Sequence, residues 1–216
     1  MTRYIQLGGL LILLSIPFVW NLSFIETLKL KTFDSLVSEK QASGYFSILS
    51  INEEDIEREG GYPFGRQRLA EIHNELLEKG AIGVGWVLAF PQPDRFGGDT
   101  EFASALSGSP SVLAMFENDN GSYPETTGTV ILGEDIGGIL ASGVIQNIDP
   151  LKESSSQGIA VARTDIDNLV RRLPLLMRTP DGWVPAYGTE VLKILAGADT
   201  YVIRTSENGI EEVRVR

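Results

Sequence analysis

The stretch Gly60–Leu106, GGYPFGRQRLAEIHNELLEKGAIGVGWVLAFPQPDRFGGDTEFASAL, constrains the fold more than any other part of the chain. Leu69, Ile72, Leu76 and Leu77 recur at helical spacing, with Arg66, Arg68, Glu71, Glu75, Glu78 and Lys79 on the other faces, which predicts an amphipathic helix over residues 65–79. Gly80 ends it, because glycine takes the left-handed conformation beyond a helix C-terminus without a Cβ clash. The uncharged run Ala81–Phe90 is too short for another helix between these marks and reads as a buried strand. An acidic loop rich in Pro and Gly, Pro91–Asp99, then leads into a second helix from about Thr100. Helix, tight turn, apolar strand, loop and helix predict an α/β fold, a mostly parallel sheet with helices on its faces. Ligands of such sheets sit at the carboxyl ends of strands, so Pro91–Asp99 is the first candidate binding loop.

Toward the amino terminus, Tyr4–Ile25 carries no charge and lies between Arg3 and Glu26, long enough to cross a bilayer as one helix. No small-x-small cleavage site follows it, which favours a retained transmembrane helix over a signal peptide. Trp20 stands near the exit, where an interfacial indole is expected. Residues 26–37 can continue this helix outward as a juxtamembrane stalk, with Ile25, Leu28, Phe33, Leu36 and Val37 on a narrow apolar face. That face serves either pairing with a second subunit or packing on the chain's own domain.

Beyond the stalk, Tyr45–Ile51 alternates well enough to be a first strand, and Asn52-Glu53-Glu54-Asp55 caps a short helix. Gly83 and Gly85 share one strand face and permit close approach of another element; they do not link a strand's end to a helix as a dinucleotide loop does. Ser111–Phe116 is a further strand, and Asn118-Asp119-Asn120-Gly121 reads as a hairpin turn rather than a calcium loop. Tyr123–Ser156 reads as loop with short strands. Gly158–Arg163 is again a strand, Asp165–Asn168 a turn, and Arg171 and Arg172 lie on an extended run toward Met177. Ala186–Leu195 reads as a helix with Val191, Leu192 and Leu195 on its apolar side, and Tyr201–Arg216 as an exposed β-hairpin around Asn208-Gly209.

Composition narrows function. A net charge of −11 and a pI near 4.6 leave no basic stripe for phosphates, so nucleic acid is excluded as a partner. Without cysteine there are neither disulfides nor thiolate metal sites. His73, the single histidine, falls at the border of the amphipathic helix's apolar face and reads as a packing residue rather than a base. No G-x-S-x-G elbow occurs, so no catalytic set is visible; one histidine excludes histidine-based metal sites and leaves only carboxylate ones, no metal-ligating residue is singled out, and the cofactor is unknown. Asp94 and Asp99 either bind a cation, sugar or amine or serve the following helix, with capping the favoured role for Asp99.

Several of these residues together resemble the CHASE2 domain, the extracytoplasmic sensor of bacterial transmembrane receptors. They are Asn52-Glu53, Tyr62-Pro63-Phe64-Gly65-Arg66, Gly80-Ala81, Phe90, Pro93-Asp94, Asp99, Arg163–Asp167 and Val170–Leu175, spread over residues 26–197. The chain departs from the family's usual aspartate at Trp86 and its usual glycine at Asn168. The resemblance implies a cytoplasmic residue 1–3 tail, an inner-membrane helix over 4–25, a sensor domain over 38–200 facing the periplasm or exterior, and a terminal hairpin over 201–216. It also implies further membrane helices and an adenylate cyclase or kinase output beyond Arg216. Ligand-binding candidates are Asn52, Glu53, Arg66, Asp94, Asp99, Asp165 and Arg171, for a small-molecule or protein signal. Expected partners are membrane lipid through the first helix and a second copy in a homodimer or higher oligomer. Two alternatives stand beside the sensor: an anchored scaffold that assembles without signalling, and, last, an anchored α/β hydrolase.

Overall fold

The computed structural model describes residues 23–38 and 41–216. The expected transmembrane helix and Trp20 lie outside the described residues, apart from the last positions of that run. Among the described residues no helix is long and apolar enough to cross a membrane.

Two compact units are present, one made by the described residues up to Ser50 with Arg163–Arg172, the other by Ile51–Ala162 with Leu173–Arg216. The first contains α1 (Ser23–Leu36), the predicted stalk helix, uninterrupted by Pro or Gly. Leu30 is buried, whereas Leu28, Phe33 and Leu36 are exposed, so most of the predicted apolar face is uncovered. Tyr45–Ile51 is not a strand. Its apolar side chains are exposed and it pairs with no strand among the described residues, because alternation makes a segment suited to a sheet but only a hydrogen-bonded neighbour makes it a strand.

In the second unit the elements follow as α2 (Glu53–Arg58), α3 (Arg66–Glu78), β1 (Val84–Trp86), α4 (Asp99–Ser107), β2 (Ser111–Ser122), β3 (Thr129–Leu132), β4 (Ile139–Leu140), β5 (Val144–Ile145), α5 (Asp149–Lys152), β6 (Ser156–Ile159), β7 (Leu176–Thr179), β8 (Gly182–Pro185), α6 (Tyr187–Leu195), β9 (Tyr201–Ser206) and β10 (Gly209–Val215). The fold is mixed α/β, but the single mostly parallel sheet is corrected to three small mixed sheets. In the first, β2 is central, parallel to β1 and β6, while its far half pairs antiparallel with β5. In the second, β9 lies antiparallel to β10 and parallel to β3; in the third, β7 lies parallel to β4 and antiparallel to β8. Of the parallel pairs, only β1 and β2 are consecutive strands joined by a helix, α4.

The predicted strand over 81–90 shrinks to Val84–Trp86, because the β2 register begins at Ser111 and only three pairs form. Ile82 and Val87 stand outside it, exposed. Residues 118–121 are not a hairpin turn: β2 continues through them and they bulge, so that Glu117 and Ser122 both face Val144. The chain leaves β6 at Ala160, whose N–H still donates to the Met115 carbonyl, so the strand expected to reach Arg163 is shorter.

Helices cover both faces of the β1-β2-β6 sheet. On one side Leu69, Phe102, Leu106, Leu113 and Leu151 close a core around Trp86 and Phe90. The Phe102 ring meets Trp86 and Phe90 edge-on, with centroids 5.5 and 5.4 Å apart. On the other, Gly83, Gly85 and Gly158 admit α6: a Cβ on Gly83 would stand 2.7 Å from Leu195, and one on Gly158 2.6 Å from the Tyr187 backbone. The close approach read from Gly83 and Gly85 is thus made by a helix.

Candidate functional site

The sequence-predicted residues fall in three places. Asn52 caps α2 in a reciprocal box, its Oδ1 accepting the Asp55 N–H at 3.0 Å while Asp55 Oδ2 accepts the Asn52 N–H at 3.1 Å. Glu53 lies in the first turn, where a carboxylate complements the helix dipole.

Arg66, Asp94 and Asp99 hold one another at the start of α3. Gly65, the residue before the helix, offers no side-chain cap. Asp94 supplies it from the loop, its Oδ2 accepting the Arg66 N–H at 2.6 Å, as an anion does at a helix N-terminus. The Arg66 guanidinium is buried, ion-paired with Asp99, donating to the Gln92 carbonyl and stacked 5.1 Å from the Phe90 ring. Asp99 also accepts the Asp94 N–H at 3.0 Å. Asp99 is therefore not the cap of α4. That position belongs to Gly98, at φ +98°, where a Cβ would strike the Gln67 backbone. The predicted binding loop wraps the start of α3 and spends its polar groups there.

Asp165 and Arg171 meet in the first unit, joined by Asp167 and by Asp34 of α1. Arg171 grips Asp34 with Nε and Nη2 at 2.8 and 2.7 Å, and Asp167 with Nη1 and Nη2 at 2.8 and 2.7 Å. Its Nη1 also reaches Asp165 at 3.1 Å. The Arg171 side chain is only 5% exposed, whereas that of Arg172 is 71% exposed. The two arginines do face differently, although they lie in a loop and not on the predicted extended strand. Asn168 turns that loop at φ +62°, a conformation asparagine tolerates. The bonds from Arg171 hold the Asp167 carboxyl down at about 2 and lower that of Asp34. Asp34 could not be found from the sequence, since it stands 137 positions from Arg171.

His73 is fully buried, deeper than a border position. Trp86 Nε1–H donates to its Nδ1 at 3.2 Å, so the ring proton sits on Nε2 and points to Ser109 Oγ at 3.0 Å. Burial lowers its pKa, and both nitrogens are used within the core, leaving none to face a substrate.

The sequence reading of α6 is inverted in part. Thr189, Glu190 and Lys193 are buried while Leu192 is exposed. Glu190 accepts from Lys193 Nζ at 2.9 Å and from the Tyr201 hydroxyl at 2.7 Å. Burial first, and the bond to Glu190 second, raise the Tyr201 phenol far above its ordinary range. The outward face of α6 forms one wall of a groove of about 890 Å³ that Val87, Phe116, Leu175, Tyr187, Leu192 and Val213 also line. The Tyr187 phenol is pushed up to about 12 by burial and stays un-ionised at neutral pH. None of these groove residues was a sequence candidate; only the exposed apolar positions of α6 and the terminal hairpin hinted at it.

The second unit is thus a mixed α/β fold with a concave apolar surface, and in the first an ion cluster holds α1 to residues 163–172. The chain matches the family model of the CHASE2 domain over residues 10–213 and belongs to that family. CHASE2 is a family of extracytoplasmic sensory domains of signalling receptors, and the general sensory role follows. Neither the curated proteins nor the solved structures give a match.

Proposed function

We propose that this chain is the input region of a membrane-anchored bacterial receptor, of the kind that drives an adenylate or guanylate cyclase or a kinase. Residues 4–25 anchor it in the inner membrane, 26–37 form the stalk, 38–200 with the 201–216 hairpin form the periplasmic or exterior domain, and the receptor works as a homodimer or higher oligomer. The observation that carries this reading is the Arg171 cluster. One guanidinium grips Asp34 on the stalk helix and two carboxylates on the 163–172 loop, and that loop is the chain's excursion between β6 and β7. A change at either end of the excursion has a covalent and ionic route to α1. A ligand acts through it only by differential affinity for two arrangements.

An alkaline phosphatase fusion after Arg216 tests the topology: activity with the protein in the membrane fraction is expected, and an inactive fusion overturns it. Arg171→Ala in the full-length receptor tests the coupling. Loss of the difference between stimulated and resting output is expected, and an unaltered response overturns it. The scaffold alternative draws on the outer edge of β10, which among the described residues pairs with β9 alone, on its inner side. Val215→Pro removes an N–H that points away from β9, since Arg216 and Thr200 beside it form a hydrogen-bonded pair, and assembly unchanged by it counts against the scaffold.

A further inference from the structure

We propose that the groove beside α6 binds a neutral, apolar small molecule and is the ligand site of the sensor. Its volume of about 890 Å³ falls within the range of small-molecule pockets, roughly 300–1,000 Å³. Its walls offer Val87, Phe116, Leu175, Leu192 and Val213, and among its lining residues Arg214 alone is charged. The Arg214 Nε–H already donates to Glu212 at 2.5 Å, so no unpaired charge awaits an anion, and no carboxylate lines the groove to meet a cation. A charged ligand would bury its charge unpaired; a neutral apolar one would cover surface that is now in water.

The groove's position gives binding a consequence. Ala160–Ala162 and Leu173–Leu175, which line it, run directly into and out of residues 163–172, the excursion that carries Arg171. A ligand between them sets the separation of the two chain ends from which the Asp34 grip departs. This link to signalling rests on the receptor reading above; the binding itself does not.

The test is methyl NMR of the full 216-residue chain in lipid nanodiscs, Leu and Val labelled, titrated with 2-naphthol, which is neutral at pH 7, and with anionic 2-naphthoate. Saturable shifts of Leu173, Leu175, Leu192 and Val213 methyls are expected with 2-naphthol, with naphthoate at least about tenfold weaker. Leu192→Gln should weaken 2-naphthol about tenfold while the buried Leu106 and Leu113 methyls keep their shifts, which reports an intact fold. Equal affinity for the two probes, or shifts no larger than those of exposed Leu28 and Leu36, overturns the proposal. So does a groove whose methyl shifts depend on protein concentration without any probe, which makes it a face for a second copy. Arg171→Ala should leave 2-naphthol affinity unchanged. Binding without any effect on receptor output sinks the receptor reading and leaves the groove; no binding, with output still sensitive to Arg171→Ala, sinks the groove alone.

Discussion

Two arginines, Arg66 and Arg171, are each buried among aspartates, and their surroundings differ in a way that separates scaffold from coupling. Arg66 is packed on an aromatic ring in the core, pairs with one carboxylate and donates to a backbone carbonyl. Its partner Asp99 is in turn bonded to the backbone of the same loop. Arg171 meets three carboxylates, two of them by both oxygens, and one of these, Asp34, is 45% exposed against 22% for Asp99. The first arrangement is a latch whose parts all belong to one core. The second is a grip between a helix and a loop far apart in sequence, held by charges that solvent can reach and compete for.

The comparison breaks most visibly at Arg66. Arg66→Met leaves Asp99 without its cation and the Gln92 carbonyl without its donor, and a loss of about 2 kcal/mol is expected. Hydrogen exchange should show it as lost protection in α3 and α4 with α1 unchanged. Unaltered α3 and α4 protection would place the latch outside the core. Arg171→Ala should do the reverse, loosening α1 and residues 163–172 while α3 and α4 keep their protection. Equal loss in both places would make the two clusters one cooperative unit.

Acid should separate them a third way. Burial lowers the pKa of His73, so below its ordinary value of 6.5 the unfolded chain takes a proton that the folded core refuses. Stability of the core around Trp86 should therefore fall as pH drops below about 6.5. The carboxyl of Asp167 is depressed to about 2, so its contribution is present above the ordinary 3.8 and is lost as pH falls from there toward about 2. Histidine and carboxylate NMR titrations check both; a Trp86 core that holds to pH 4 while α1 frees itself at pH 6 would reverse the assignment. The smallest effect on the 163–172 loop is expected for Asp34→Asn. It removes the charge by which α1 meets Arg171 but leaves Asp165 and Asp167 on that arginine, so α1 protection should fall while residues 163–172 keep theirs, with the loss smaller at high salt.

How far the sequence reached depends on the distance over which each interaction acts. Local signals were readable. Helical spacing placed α3, Asn52 marked the start of α2, Gly83 and Gly85 marked a close approach, and Asn168 marked a left-handed turn. The family was readable too, from a spaced set of residues that the match over 10–213 now establishes. Site roles were less readable, because Asp94 and Asp99 look the same in sequence whether they meet a ligand or the start of α3.

What the sequence determined by itself is therefore the principal helices and the α/β class, which follow from periodicity and turn chemistry within a few residues, and the sensory family, which follows from a spaced set of residues. Tertiary structure alone decided which elements became strands, for Tyr45–Ile51 has the alternation without a neighbour and β2 runs through an Asn-Gly pair because β5 lies beside it. It alone also chose the inner face of α6. Lys193 and Glu190 neutralise each other and Tyr201 closes over them, and that mutual satisfaction reverses the outward preference of charge and turns Leu192 to the groove.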